Sequence, residues 1–433
     1  MPAARDATPV VFAPEAAPQP QACPAEVGPG VRCLGGRDSA GAYYLIALPA
    51  GWTAQQGRLV LHAHGGPFLG EPTMARITED LKRWALVPRA GYAWAGSSFR
   101  QGGVAVRAAA EDTERLRQLF VQHVGKPALT VLHGQSWGAG VAAKGAETYT
   151  AGKPYDGVLL TSGLLAGGTR SYDFRLDLRV VYQHLCNNHP RPDEPAYPLW
   201  QGLPADSPLT AAELTRRVND CLGTGKPAAQ RSAEQARRLK TIVDVIRIPE
   251  GSVAGHLNWA TFHFRDIALN RTGGGNVFGN RGVQYRGSAD DTALNAQVQR
   301  YAADPAAVAR FADDTDPGGR IPVPVLTVHG IGDATVFVEV QHHFAQTMAA
   351  AGRADALVQT YVDQSAHSYL GDAPYAALLA ALERWVVHGD KPTPPGVAAA
   401  CEAVRTQFPS ECRFRPDYPV QPLESRVPAR LRP

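Results

Sequence analysis

Residues 130–144 read TVLHGQSWGAGVAAK. A short apolar run, Thr130 to Leu132, meets Ser136, which has Gly134 two residues before it and Gly138 two residues after. Helix-forming residues follow at once. The pattern is G-x-S-x-G, in which a strand turns directly into a helix. Such a turn forces its tip residue into a strained backbone conformation. The two glycines relieve crowding, because a Cβ at either place would strike a neighbouring strand or helix. A small polar residue at the tip then exposes its hydroxyl at the top of a sheet, near the positive end of the following helix. With 43 glycines in the chain the motif alone is weak. Its weight comes from the apolar strand before it and the Gly/Ala-rich helix after it.

Outward from this turn, strands and helices alternate. AYYLIALP (42–49), GRLVLHAHG (57–65), YAWAGSSF (92–99), ALTVLH (128–133) and DGVLLTSG (156–163) read as strands. TMARITEDLKRWALVPRAG (73–91), AVRAAAEDTERLRQLFVQHVG (105–125) and SWGAGVAAKGAETY (136–149) read as helices. The alternation stops near 164 and resumes with strand 322–330, helix 336–352, strand 356–362 and helix 373–389. This predicts an α/β fold, a mostly parallel sheet with helices on both faces. The expected organisation is an irregular N-terminal segment (1–41), a core in two parts (42–163 and 322–389), a large insertion (164–321) and a Pro-rich C-terminal extension (390–433). The insertion carries helical stretches at 212–222, 233–246 and 295–314 and reads as a mainly helical cap over the sheet's C-terminal edge, where loops surround the ligand crevice.

The chain has 433 residues, 44% of them hydrophobic, enough for a sizeable core. A formal net charge of +3 argues against a nucleic-acid-binding protein. No apolar run approaches the roughly 20 residues that span a bilayer. The cysteines fall into neighbour pairs: Cys23 with Cys33, Cys186 with Cys221, Cys401 with Cys412. None makes a C-x-x-C pattern, and disulfides in an oxidising compartment are the preferred reading, with other connectivities and six reduced cysteines as alternatives. The opening MPAARDATPVVFAPEAAPQPQACP has no continuous apolar segment behind a basic start. It reads as a mature N-terminus whose signal peptide has been removed, so the expected location is secreted or periplasmic.

A serine hydroxyl needs a base, because at neutral pH it is almost entirely protonated. Among 13 histidines, His367 stands out, in YVDQSAHSYL after a strand and before the last core helix. His62, His64, His133 and His329 lie at strand ends, where structural hydrogen bonding is expected. The base needs an acid to fix its tautomer. Asp333, in TVHGIGDATVF, follows a strand on a Gly-rich turn; Asp363 is the rival. The oxyanion of a tetrahedral intermediate needs donors. The N–H of Trp137 is one, and LHAHGGPF (61–68) offers a second from Gly65, Gly66 or Phe68; Pro67 has none.

HGGPF, GYAWAGSSFRQGG, GQSWGAG, HGIGDATV and SAHS stand where the α/β-hydrolase superfamily keeps its functional loops, and the chain resembles that superfamily over 42–163 and 322–389. GYAWAGSSFR resembles the prolyl-oligopeptidase-like branch, but about 40 residues before the first strand leave no room for that branch's propeller. The resemblance implies a serine hydrolase in which Ser136, Asp333 and His367 cleave carboxylic esters, polyester oligomers and plant aryl esters among them. A peptidase or amidase is the alternative. Trp137, Trp259 and Phe262 are candidate substrate contacts, although packing inside the cap is the plainer reading of Trp259, Phe262 and Phe264. Arg170, Arg175 and Arg179 read as solvated helix arginines, with carboxylate binding as the second reading. No motif implies a cofactor or metal, and none fixes an oligomeric state. GGGNVFG (273–279) lacks the strand-to-helix context of a phosphate loop.

Overall fold

The computed structural model describes residues 10–432. They fall into two compact units: one holds the chain through Ala166 with Thr315–Val420, the other Gly167–Asp314 with the chain from Gln421.

The first unit is built on one sheet of nine strands: β1 Gln19–Gln21, β2 Arg32–Arg37, β3 Tyr43–Leu48, β4 Arg58–Ala63, β5 Ala93–Ser97, β6 Leu129–Gln135, β7 Gly157–Thr161, β8 Val325–Gly330 and β9 Leu357–Val362. Their order is β1-β2-β3-β5-β4-β6-β7-β8-β9. Pairing is antiparallel from β1 to β5 and parallel from β5 to β9. Every residue of β5, β6, β7 and β8 is buried, as expected for strands covered on both faces. Helix α1 (Met74–Arg83) packs on one face; α2 (Val106–His123) and α3 (Trp137–Thr148) pack on the other.

The described part of the N-terminal segment, from residue 10, contains regular structure. Its QPQ and RCLGGR stretches form β1 and β2: β2 pairs with β3, and β1 adds to β2 as the edge strand, neither carrying an apolar pattern of its own. Cys23, two residues after β1, is bonded to Cys33 on β2. The helix expected over 73–91 breaks after Arg83 and restarts as a single turn, Leu86–Arg89. Pro88 explains this: its ring would strike the carbonyl of Trp84, four residues back.

The second unit contains α4 (Asp173–Cys186), α5 (Ala211–Leu222), α6 (Ala233–Ile246), α7 (Val253–Asp266), α8 (Asp291–Gln297) and most of α9 (Pro305–Thr315). Residues 295–314 are therefore two helices rather than one, and Pro305 opens the second. Helix α4 is buried from Asp173 to Tyr182. This corrects the reading of its arginines. Arg175 lies 4.5 Å from the Trp259 ring and 4.7 Å from the Phe174 ring. Arg179, fully buried, donates to the carbonyls of His189 and Gly202 at 3.3 and 3.4 Å. Cys186–Cys221 links the ends of α4 and α5. The chain after Gln421 returns to α4: Arg430 donates to Asp177 and Arg432 to Asp173, both at 2.6 Å. The Gly-rich stretch 273–279 is coil, and the Asn280 side chain that follows accepts from Tyr301 N at 2.7 Å.

In the first unit, α10 (Val340–Ala350) and α11 (Asp372–His388) complete the helical layers. The expected extension also contains a helix, α12 (Pro394–Val404), opened by Thr393 as cap and joined by Cys401–Cys412 to the loop beside β9.

At the centre of the sheet, His62 on β4 and His133 on β6 meet through their Nδ1 atoms at 3.0 Å. One ring donates and the other accepts. Burial pushes His133 down to about 3, and burial, then the neighbouring His133, holds His62 well below its ordinary value. Both rings stay neutral in the folded state while the unfolded chain takes protons near pH 6.5. Their contribution to stability is therefore complete above pH 6.5 and is lost as pH falls toward about 3. Melting temperature measured from pH 7.5 to about 4.5 should fall on acidification, and His62→Asn/His133→Asn should have a shallower slope, whatever its absolute stability.

Candidate active site

Ser136 sits between β6 and α3 with φ 55° and ψ −120°, a region that side-chain-bearing residues rarely occupy. Its backbone is pinned on both sides: its N–H donates to Thr161 O at 2.8 Å and its carbonyl accepts from Leu164 N at 3.1 Å. The flanking glycines are required by contact. A Cβ on Gly134 would stand 2.3 Å from Gly138 O, and one on Gly138 would stand 2.2 Å from Ala63 O. Helix α3 can begin against β4 only because both side chains are missing.

His367 and Asp333 converge on this serine. Ser136 Oγ donates to His367 Nε2 at 2.8 Å, and His367 Nδ1 donates to Asp333 Oδ2 at 2.7 Å. The remaining acceptor capacity of Asp333 is filled by the N–H groups of Thr335 and Val336 at 2.8 and 3.1 Å. His329 Nε2 lies 3.5 Å from Oδ2 while donating to Val336 O at 2.9 Å. Burial alone would raise the Asp333 pKa; the hydrogen bonds from His329 and His367 outweigh it and hold the carboxyl well below the usual carboxylate range. The bonds from the Thr335 and Val336 N–H groups also curl the chain after Asp333 into a turn, and α10 starts at Val340 rather than at 336. Asp363, the rival acid, pairs instead with Arg415 at 3.2 Å on the surface. The loop carrying His367 is fixed by Ser368, at φ 83°, whose carbonyl accepts from Tyr375 Oη at 2.5 Å and whose N–H donates to Ser162 Oγ at 3.3 Å.

The HGGPF loop leaves the C-terminal end of β4 beside the elbow. Phe68 is not a candidate donor, because its N–H closes a tight turn on Gly66 O at 3.1 Å. The N–H groups of Gly65, Gly66 and Trp137 remain. The Trp137 ring packs edge-to-face on Phe99 at 5.8 Å and lines a cavity of about 330 Å³ with His64, Phe68, Arg76 and Ser98. His64 and Arg76 belong to this wall through their hold on Gly65 O. His64 makes the structural hydrogen bond expected of it, whereas Arg76 has no signal in the sequence, being one charged residue among several on an ordinary amphipathic helix. Trp259 and Phe262 lie on α7 in the second unit, both half-buried. Trp259 stacks on His263 with ring centres 4.6 Å apart, and Phe264 is fully buried against Phe278. Among the described residues, no group of three or more His, Cys, Asp or Glu side chains is placed to hold a metal ion.

The sheet order, the strand-to-helix elbow at β6 and the flanking helices define an α/β-hydrolase fold. No family model matches the chain, and no curated protein is similar to it in sequence. Among solved structures, feruloyl esterase B from Aspergillus oryzae is 14% identical with a TM-score of 0.46, over 84% of this chain and 82% of that one. A rice cell-wall-degrading esterase from Xanthomonas oryzae is 14% identical with a TM-score of 0.37, over 87% and 89%. A puromycin hydrolase is 12% identical with a TM-score of 0.41, over 86% of this chain but only 40% of that protein. At these scores the likenesses carry no argument about activity, which rests on the site itself.

Gly138→Ala tests the packing of the elbow. With Ala63 O only 2.2 Å from the new Cβ, overpacking should cost about 1–3 kcal/mol in urea unfolding.

Proposed function

We propose that the chain is a serine hydrolase that cleaves carboxylic esters outside the cytoplasm. The observation that carries this reading is the unbroken hydrogen-bond relay Ser136–His367–Asp333, at 2.8 and 2.7 Å, on an elbow that presents the serine. His367 Nε2 accepts the Ser136 proton as Oγ attacks the ester carbonyl carbon. Asp333 holds the Nδ1–H tautomer and stabilises the imidazolium. The tetrahedral oxyanion rests on the N–H of Trp137 and one N–H of the Gly65–Gly66 pair. Collapse expels the alcohol, protonated by His367, and leaves an acyl-serine. His367 then takes a proton from water, whose oxygen attacks the acyl carbon, and a second collapse releases the acid and restores Ser136.

The cavity beside Trp137 is the proposed place for one of the two substrate groups flanking the ester. Its wall of Phe68, Phe99 and Trp137 suits an apolar or aryl group. Trp259 and Phe262 remain proposed contacts, and the inserted unit a proposed cap, in line with its place between β7 and β8. The three disulfides support an extracytoplasmic site of action. Among the described residues no helix is long and apolar enough to cross a membrane.

Hydrolysis of a matched aryl acetate and aryl anilide separates esterase from amidase. The expected outcome is ester turnover with the anilide untouched; efficient anilide cleavage would establish the amidase instead. Ser136→Ala should abolish ester turnover, and Asp333→Asn should lower kcat by about 10⁴ by stabilising the wrong histidine tautomer.

A further inference from the structure

The carbonyl oxygen of Gly65 is held from two sides. Arg76 Nη2, on α1, donates to it at 2.8 Å. His64 Nδ1 lies 3.0 Å from the same oxygen. A carbonyl oxygen only accepts, so this shorter contact calls for the proton on Nδ1, whereas the longer approach of Arg76 Nη2 to the same nitrogen, at 3.4 Å, calls for the other tautomer. Burial, with the Arg76 charge adding to it, pushes His64 down to about 3, so the ring is neutral, and it stacks on Phe99 at 4.3 Å.

Arg76 is itself anchored. Asp80, one turn along α1 and buried, lies 3.3 Å from its Nη2. The Phe68 ring sits 4.0 Å from the guanidinium carbon. The backbone N–H of Arg76 donates to the cap residue Thr73 at 3.2 Å, which fixes where the side chain leaves the helix. The hydrogen bond to Gly65 is therefore charge-assisted and made from a restrained donor.

The geometry of a peptide unit turns this grip into a directional effect. The Gly65–Gly66 bond is trans, the cis bond of the described chain being His189–Pro190. In a trans peptide the C=O of one residue and the N–H of the next point in opposite directions. A Gly65 carbonyl drawn to Arg76 therefore turns the Gly66 N–H away from Arg76. Gly65 also touches the nucleophile's residue: a Cβ there would stand 3.2 Å from Ser136 Cβ and 2.8 Å from Gln135 Nε2. Gly66, at φ +75°, completes the bend with a conformation that glycine adopts freely.

We infer that Arg76 is a positioning residue for the oxyanion hole: by holding and polarising the Gly65 carbonyl, it selects the Gly66 N–H as the second donor and strengthens it. A positive charge on the carbonyl side withdraws electrons through the amide, and hydrogen bonds in such chains reinforce one another. Arg76 also lines the proposed substrate cavity, so its action through the peptide is read from the part of the benefit that appears as oxygen charge develops and not in ground-state binding. The inference rests on the serine-hydrolase reading of Ser136.

The test compares wild type with Ser136→Ala, Arg76→Gln, Arg76→Lys and Arg76→Gln/Asp80→Asn on one aryl ester. The double variant removes the buried carboxylate that Arg76→Gln alone leaves unpaired, and so remains informative if the single variant unfolds. Exposed Arg83, on the same helix, supplies the control Arg83→Gln, which should keep the wild-type rate. Loss of one oxyanion donor costs about a hundredfold to a thousandfold in kcat; removal of a group that only orients one should cost about tenfold to a hundredfold, with KM changed by less than about threefold. Affinity for an alkylboronic acid, which forms a tetrahedral adduct on the serine, should fall in parallel, while affinity for the product carboxylate should not. Arg76→Lys should recover part of the loss. A merely structural role would lower melting temperature and weaken boronate and carboxylate alike. Folded Arg76 variants with wild-type kcat, or with reduced kcat and wild-type boronate affinity, would overturn the inference alone. Ester turnover surviving in Ser136→Ala would overturn the reading beneath it.

Discussion

The contact on which the candidate site depends is one between backbones. Helix α3 starts so close to β4 that Gly138 has no room for a side chain against the carbonyl of Ala63, and Gly134 none against the carbonyl of Gly138. This approach carries the chain from the sheet into the helix without a loop, and it leaves Ser136 in a backbone conformation that nothing local favours. The surrounding packing imposes it, through bonds from Ser136 to Thr161 on one neighbouring strand and to Leu164 beyond it. The same approach brings Gly65, two residues past Ala63, against the serine. The proposed nucleophile and the proposed oxyanion loop thus share one close contact.

Beneath this contact the strands carry polar side chains in an otherwise apolar sheet. His62 meets His133, His133 Nε2 lies 3.3 Å from Thr161 Oγ1, and Trp84 Nε1 donates to Gln135 at 3.0 Å. On the far side, Tyr375 holds the loop of His367 through Ser368. Each group has few alternatives once buried, since an unpaired polar atom there costs more than a paired one gains. The network therefore fixes strand ends relative to one another more tightly than apolar packing, which tolerates sliding.

The parts of the molecule that were legible in the sequence are those written in local pattern. The parallel strands are continuous apolar runs. The elbow needs glycines at fixed offsets, and Asp333 and His367 follow strands on turns. The disulfide pairs are near neighbours in the chain. The parts that were not legible are those decided by distant partners. The strands β1 and β2 contain Pro and paired glycines and exist because β3 offers an edge to β2, and β2 in turn to β1. Arg175 and Arg179 look like surface residues until α4 is seen to be buried on every face. Phe68 is excluded as a donor by a turn that its sequence does not announce. Arg76 acquires meaning only from its contact with Gly65, eleven residues earlier in the chain.

The C-terminal strap of the second unit has a consequence for how the molecule is made. Asp173 and Asp177 are buried at the start of the inserted helices, and their countercharges, Arg430 and Arg432, follow the whole second half of the core in sequence. A buried carboxylate without its partner costs about 3–5 kcal/mol. Tyr285, inside the insertion, donates to Asp177, but on the ribosome the inserted unit is synthesised long before the two arginines that neutralise these carboxylates. The two ion pairs can form only after α10, α11 and α12 have been translated, so the last contacts of the insertion wait for the second half of the core.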